Sequence, residues 1–346
     1  MTYPGRMTSP MNTRVLLAKR PQGEPKDADF EIDRQPLPEL GEGEILIHNH
    51  WLSIDPYMRG RMNDARSYAP PAKLGEPMIG ETAGIVLRSR SPRFPEGDAL
   101  CVFAGWQSHF VARADSAGLT RVDAKAHPLS NYLGVLGMPG RTAYFGLLRV
   151  GRPQPGETVV VSAAAGAVGS AVGQIAKLLG CRSVGIAGGE RKRRYVVEEL
   201  GFDACVDYKA GNLEADLRAA CPDGIDVYFE NVGGAVLKAV AAQLRRGARV
   251  PICGFVSSYN AANPFEGDTP FSVLPALPHP PEHRMFLVGE FAKENEEANR
   301  KLAEWLASGK LRHRESILDG LENAPAALRA VLRGENLGKQ LVRISG

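Results

Sequence analysis

Between Thr158 and Leu179 the chain carries a short β-branched run, Thr158-Val159-Val160-Val161, then Ala163-x-x-Gly166-x-x-Gly169 followed by Gly173. That spacing suits a pyrophosphate. Gly166 would let the chain turn tightly, Gly169 would let backbone approach phosphate oxygens, and Gly173 would let a helix press on a sheet. The helix N-terminus that follows offers free N–H groups and the positive end of its dipole to an anion. Alone, a G-x-x-G is equally a pair of structural glycines. Placed after a strand and at the head of a helix, it reads as a dinucleotide turn.

The next question is which dinucleotide. A chain that grips the ribose 2′-OH of NAD usually does so with Asp or Glu at the end of the second strand, roughly 20 residues past the glycines. Here that place reads Gly188-Gly189, followed by Glu190-Arg191-Lys192-Arg193-Arg194. Four cations beside small residues suit a 2′-phosphate, so NADPH is the expected cofactor, with Glu190 the discordant residue. The blander alternative is a solvated basic helix start, although cations at a helix N-terminus oppose its dipole.

The elements around these residues follow a rhythm. Val168, Ala171, Val172, Ile175, Ala176 and Leu179 fall at helical spacing and stop at Gly180. Strand-like and helical stretches then alternate: 183–187, a helix over 191–200, 204–206, a helix over 213–220, 226–229, a helix over 236–244, and 249–252. Met285-Phe286-Leu287-Val288 and a helix over about 294–308 complete some six alternations, the pattern of a doubly wound parallel sheet. Pro251 is awkward within such a sheet. Residues 13–112 differ, with short strands such as 44–48, 82–87 and 99–103 between Gly and Pro breaks, as expected of a β-rich module. The chain of 346 residues therefore reads as α/β with two domains.

Bulk properties exclude other classes. A formal net charge of +3 is too small to argue for nucleic acid or a membrane surface. No run of 18 apolar residues occurs, and Val15-Leu16-Leu17-Ala18, flanked by Arg14, Lys19 and Arg20, is too short for a secretory core. Met7 and Met11 are alternative starts, and the first dozen residues are expected to form a tail. Cys101, Cys181, Cys205, Cys221 and Cys253 form no C-x-x-C pair, which points to reduced thiols in a cytoplasmic protein.

The chain resembles the medium-chain dehydrogenase/reductase superfamily, and within it the zinc-independent alkenal/one oxidoreductases, which include prostaglandin, double-bond and curcumin reductases. The resemblance is carried by Ser53-Ile54-Asp55-Pro56-Tyr57-Met58-Arg59, 137–144, 163–169, Tyr228-Phe229-Glu230-Asn231-Val232-Gly233-Gly234, 252–260 and 334–339, in order over nearly the whole chain. It implies a GroES-like β-rich catalytic domain, residues 1–136 plus 313–346, with an inserted Rossmann domain, 137–312, and a cleft at their junction. It also implies a homodimer formed through the Rossmann domains.

By position, the resemblance implies that Gly166, Ala167, Val168 and Gly169 form the phosphate turn and that Lys192 and Tyr208 contact the 2′-phosphate. It likewise implies cofactor contacts from Asn231 and from Cys253, Gly254, Phe255, Val256, Ser257, Ser258 and Tyr259 beside the nicotinamide ribose. Phe286, Leu287, Val288 and Asn336 match further nicotinamide-side positions. Zinc ligands are missing where zinc relatives carry them: the first-ligand region reads Ser53-Ile54-Asp55-Pro56, and Met78 stands in place of a histidine before Gly80-Glu81. No metal is therefore expected, and His48, His50, His109 and His127 read as surface or strand residues.

The implied reaction is reduction of an α,β-unsaturated ketone or aldehyde by hydride transfer to its β-carbon. The enolate oxygen then needs a hydrogen-bond donor. Tyr259 is the leading candidate, because a phenol of pKa about 10 still donates at pH 7. The cofactor ribose hydroxyl could share that role, and Tyr57 is a second donor or pocket wall. Either tyrosine is otherwise a packing residue whose hydroxyl finds a carbonyl. The proline-rich stretch 263–282 is expected to border the substrate cleft. An NADPH:quinone reductase and a non-catalytic NADPH-binding protein remain alternatives.

Overall fold

The computed structural model describes residues 11–65 and 69–344. Met7 and most of the expected N-terminal tail lie outside the described residues; Met11 and Asn12 already belong to a strand. The chain divides into two compact units. Unit 1 comprises residues 1–133, 317–329 and 341–346, and unit 2 comprises 134–316 and 330–340.

Unit 1 is built from strands. β1 (Met11–Leu17) pairs antiparallel with β2 (Phe30–Pro36). β3 (Glu44–Ser53) pairs antiparallel with β4 (Thr82–Ser89), and β4 with β5 (Ala99–Val102). β6 (His109–Arg113) also pairs with β3, and β7 (Thr120–Arg121) with β5. Alternation along β3 sends Ile45 and Ile47 into one core with Val86, Phe94 and Leu100. On a half-buried face, the His48 ring stacks on His109 at 4.7 Å and meets His50 edge-on at 4.9 Å. Burial, and then the neighbouring His48 and Arg88, push His109 down to about 4.

Unit 2 is the alternating α/β body. β8 (Thr158–Ser162), β9 (Arg182–Ala187), β10 (Ala204–Asp207), β11 (Ile225–Phe229), β12 (Leu244–Ile252) and β13 (Glu282–Met285) form one sheet in the order β10-β9-β8-β11-β12-β13. Every pairing in it is parallel. The order reverses between β8 and β11, which is where such sheets hold dinucleotides. Covered on both faces, its strands bury continuous apolar runs: Val159, Val160 and Val161 are each 0% exposed.

Some sequence expectations shift. β12 runs through Pro251, whose carbonyl accepts the Glu230 N–H at 3.0 Å one residue before the strand ends. The last strand is Glu282–Met285, with Phe286 just past it, because the chain turns into a 3-10 helix at Val288–Glu294. The stretch 263–282 holds a short helix, Pro270–Val273, whose N-cap Thr269 accepts the Val273 N–H at its carbonyl and donates its own N–H to Ser272 Oγ at 3.0 Å. The chain then returns through β14 (Glu315–Asp319), helix Ala324–Leu332 and β15 (Lys339–Arg343), and Leu341–Arg343 pair with Trp51–Ser53 of β3.

Candidate cofactor and active site

The phosphate turn begins where β8 ends. Its left-handed residue is Ala163, at φ 51°, and Gly166 has an ordinary φ of −88°. Gly166 thus supplies no positive φ; the Gly166 N–H closes the turn by donating to the Ala163 carbonyl at 2.9 Å. Gly169 is required by the protein's own backbone, since a Cβ there would lie 2.4 Å from the Ala163 oxygen. At Gly173 a Cβ would lie 1.9 Å from the Phe202 ring, so this residue lets helix Ala167–Leu178 close on the Phe202 side chain ahead of β10, and not directly on a strand. The Ser170 N–H already bonds to the Gly166 carbonyl, leaving the amides before it as the donors of the helix end.

The second strand ends in a cationic cradle. A Cβ at Gly188 would come within 2.7 Å of the Tyr208 ring, and Asp207 Oδ1 accepts the Gly189 and Lys209 N–H groups at 2.8 and 2.9 Å. Glu190 is occupied by Arg193 at 2.7 Å, and Arg194 by Glu198 at 3.1 Å. Two of the four cations are therefore neutralised locally. Lys192 donates to the Gly334 carbonyl at 2.5 Å, and among the described residues neither it nor Arg191 has a carboxylate within ion-pair distance. Burial, then the charges of Lys209 and Arg191, hold the Lys192 ammonium below its ordinary value. Like charges converging beside the 40%-exposed Tyr208 ring are what a bound 2′-phosphate would relieve, so these residues fit the group.

At the switch point, Asn231 is fixed by Ser162. Its N–H donates to Ser162 Oγ at 2.9 Å and its side-chain amide to the Ser162 carbonyl at 2.8 Å. Beneath it Glu230 is fully buried, and its Oε1 accepts from Tyr228, Ser162 and the Val232 and Gly233 N–H groups. Burial raises the Glu230 carboxyl. Burial, with Glu230 beside it, pushes the Cys253 thiol up to about 12, so the thiol is protonated at pH 7. The Ser257 hydroxyl donates to the Val232 carbonyl at 2.6 Å, which ties the 253–259 stretch to the Asn231 turn.

The Tyr259 hydroxyl lies over the backbone of Gly254, where a Cβ would come within 2.7 Å of it. Its ring meets Phe255 edge-on at 5.6 Å, and Phe265 and Phe271 gather around the same Phe255. Val256 and Ser258 are half-buried within this turn. Phe286 is committed elsewhere: it is buried against Phe229, and the same ring would touch a Cβ at Gly146. Leu287 remains exposed and Val288 half-buried.

Asn336 lies on a loop that reaches the turn after β8. Its amide donates to the Gly338 carbonyl at 2.8 Å, and the Gly338 N–H donates to Ala165 at 2.7 Å. Gly338 is left-handed, at φ 72°, with the Arg314 carbonyl 1.9 Å from where its Cβ would stand. In unit 1, Tyr57 opens helix Tyr57–Arg61. That helix is anchored by Arg59, only 2% exposed, which donates to Asn63 Oδ1 at 2.6 Å and the Gly23 carbonyl at 3.0 Å.

Arg59 and Glu230 lie inside the resembling motifs, but their sequence context assigns neither a task. A single charged residue next to an apolar run was the available signal. Asp207 and Ser162 carried none. Among the described residues no group of three His, Cys, Asp or Glu side chains is placed to hold a metal.

Comparison with known proteins places this geometry. A family model described as the N-terminal domain of oxidoreductase matches residues 13–122, and one described as zinc-binding dehydrogenase matches 167–304. The chain is 44% identical to the NADPH-dependent curcumin reductase of Escherichia coli, covering 97% of each chain. It is 43% identical to mouse prostaglandin reductase 1, over 94% of this chain and 97% of that one. The crystal structure of CurA from Vibrio vulnificus in complex with NADPH superposes with a TM-score of 0.91 at 43% identity, covering 96% of this chain and 99% of that one. With its switch-point sheet, phosphate turn and these relatives, the chain belongs to the medium-chain dehydrogenase/reductase family, in its alkenal/one oxidoreductase group.

Proposed function

We propose that this protein is an NADPH-dependent reductase of activated carbon–carbon double bonds in α,β-unsaturated ketones and aldehydes. The observation that carries the cofactor half is the cradle of Lys192, Arg191 and Lys209, cations without an ion-pair partner among the described residues and opposed at Lys192 only by the more distant Glu335, while Glu190 is held by Arg193. The substrate half is supported by relatives whose names specify curcumin and prostaglandin reduction. NADPH, when bound, supplies the hydride delivered to the substrate's β-carbon.

The chain's own residues do the rest. The amides at the start of helix Ala167–Leu178 receive the pyrophosphate, and Lys192 with Tyr208 receives the 2′-phosphate. Asn231, the 253–259 turn, Phe286–Val288 and Asn336 are assigned to the nicotinamide half, with Phe286 limited to its backbone because its ring is packed inside. Tyr259 is the donor to the oxygen that gains charge, held in place by the absence of a side chain at Gly254. Tyr57 is the second donor or a wall.

By role, residues 1–136 plus 313–346 are the catalytic domain and 137–312 the cofactor domain, with 330–340 contributing Asn336 and the Gly334 carbonyl to the cofactor side. Zinc independence is supported by Asp55 and Met78 standing at the ligand positions of zinc relatives. No helix among the described residues is long and apolar enough to cross a membrane, and the five cysteines, none of them in a disulfide, support the cytoplasmic reading. The edge strand β13, exposed at Glu282, Arg284 and Met285, supports a homodimer formed by edge pairing.

The test is NADPH-consumption kinetics over enals, enones, nitroalkenes and quinones, with NADH in parallel. Turnover of enones with NADPH well above NADH is expected. Turnover of benzoquinone with none on alkenals would replace this reading with a quinone reductase, and tight NADPH binding with no turnover on any of them would leave a binding protein.

A further inference from the structure

We propose that Phe265 and Phe271 form an aromatic wall that selects neutral, aryl-bearing enones; the inference rests on the enone-reductase reading and specifies the substrate class. Both rings stand on a loop that is anchored at the ligand edge of the parallel sheet. The Gly234 N–H, just past β11, donates to the Asp268 carbonyl at 2.9 Å, and Lys238 pairs with the Asp268 side chain at 2.6 Å. Thr269 and Leu274 are fully buried, Leu274 in the same core as Val160 and Phe255. The loop is thus fixed beyond the carboxyl end of β11, the end at which such sheets bind their ligands.

On this anchored loop Phe265 and Phe271 remain 62% and 41% exposed. Single apolar residues at a surface are ordinary, but these two rings lie 6.0 Å apart and form a patch. Ring geometry joins the patch to Tyr259. Phe255, itself buried, meets Tyr259 edge-on at 5.6 Å and Phe271 edge-on at 5.7 Å, and Phe265 lies tilted against it at 5.5 Å. One ring therefore separates the exposed pair from the residue assigned to the enone oxygen. Aromatic rings favour such edge-to-face contacts, and an aryl group on the substrate extends the same set. A small enone such as but-3-en-2-one has no group to place there.

Charge narrows the class further. The stretch 255–277 contains no Lys, Arg or His, and its two carboxylates are Glu266 and Asp268. Asp268 is paired with Lys238, whereas Glu266 accepts from the Asn263 amide at 2.9 Å, a neutral donor that leaves its charge in place. An anionic substituent beside the two rings meets Glu266 with no cation of the loop to offset it. The wall therefore suits a neutral aryl group and disfavours an aryl carboxylate.

The experiment compares NADPH-dependent kinetics on but-3-en-2-one, 4-phenylbut-3-en-2-one and the para-carboxylate of the latter, in wild type, Phe265→Ala, Phe271→Ala and the double variant. Calorimetric titration of 4-phenylbutan-2-one and butan-2-one into the protein with NADP+ reads binding without turnover. In wild type the phenyl enone is expected to have a KM at least about tenfold below that of but-3-en-2-one and about threefold below that of its carboxylate. In the double variant its KM is expected to rise about 10- to 30-fold with kcat within about threefold, and 4-phenylbutan-2-one to weaken alike. The NADPH Kd, expected within about twofold of wild type, reports folding. The proposal is overturned by absence of 4-phenylbutan-2-one binding into the millimolar range, by unchanged phenyl KM and ketone affinity in the double variant, or by a carboxylate accepted as well as the neutral enone. A wild-type dimer that becomes a monomer in the double variant, with specificity unchanged, overturns it too and assigns the rings to a subunit interface. Turnover of none of the enones, with 4-phenylbutan-2-one bound by wild type and weakened in the double variant, overturns the reductase reading and leaves the wall standing.

Discussion

Replacing Lys192 with Gln separates two roles that the structure gives this one side chain. Its ammonium bonds to the Gly334 carbonyl, yet it also stands with Arg191 and Lys209 around the space assigned to the 2′-phosphate. A hydrogen bond to a charged group contributes about 1.5–3 kcal/mol. At about 1.4 kcal/mol per factor of ten, losing that bond weakens NADPH roughly 10- to 150-fold. Release of the repulsion from Arg191 and Lys209 offsets part of this, so the lower half of the range is expected. NADH has no 2′-phosphate, and its affinity is expected to stay within about twofold, because Gln can still donate to the partly exposed Gly334 carbonyl. Calorimetric titration of wild type and variant with each nucleotide, at one fixed low ionic strength, measures both numbers. An equal loss for NADPH and NADH would refute the reasoning, since Lys192 would then act through the 334–338 loop and not through the phosphate.

Tyr259→Phe is expected to lower kcat on an enone about 10- to 100-fold while leaving the NADPH Kd within about twofold; unchanged turnover removes Tyr259 from the mechanism. Gly173→Ala forces a methyl to within 1.9 Å of the buried Phe202 ring and is expected to destabilise by about 1–3 kcal/mol, read as a lowered urea midpoint. An unchanged midpoint would show that the Phe202 ring is free to move aside. For pH, His109 is held neutral in the folded state, with a value of about 4 against 6.5, so the unfolded chain binds the proton first. Its contribution is fully present above pH 6.5 and is lost as pH falls from 6.5 towards 4. After solvent screening of a half-exposed ring, about 1–2 kcal/mol is at stake. Urea midpoints at pH 7 and 4.5 are expected to differ less in His109→Gln than in wild type, and an equal acid loss in both assigns it to other groups.

The division of labour between sequence and tertiary structure is clear from particular residues. The βα rhythm, the glycine turn and its place at the head of a helix were legible, because apolar periodicity and glycine spacing are local and each repeat buries its own stripe. So was the family resemblance, whose motifs lie at chain turns and strand ends. Residue partnerships were not legible. Four cations follow Gly189 in sequence, but only the folded chain shows Glu190 closing on Arg193 and Glu198 on Arg194, leaving Lys192 with Arg191 and Lys209. Gly166 is the residue that sequence alone would place at the left-handed turn position, yet the left-handed residue is Ala163. Phe286 reads as one apolar residue in a motif, and only packing against Phe229 and Gly146 commits its ring to the core. Asn336 lies far beyond Gly166 in sequence, and the Gly338–Ala165 bond, with the bridge between Gly338 and Gly166, brings its loop to the phosphate turn. Local pattern determined which elements form and which turn is placed to receive a dinucleotide. Tertiary contacts decided which charges stay uncompensated and which side chains remain open to a ligand, because ion pairing and burial depend on neighbours that sequence spacing does not encode.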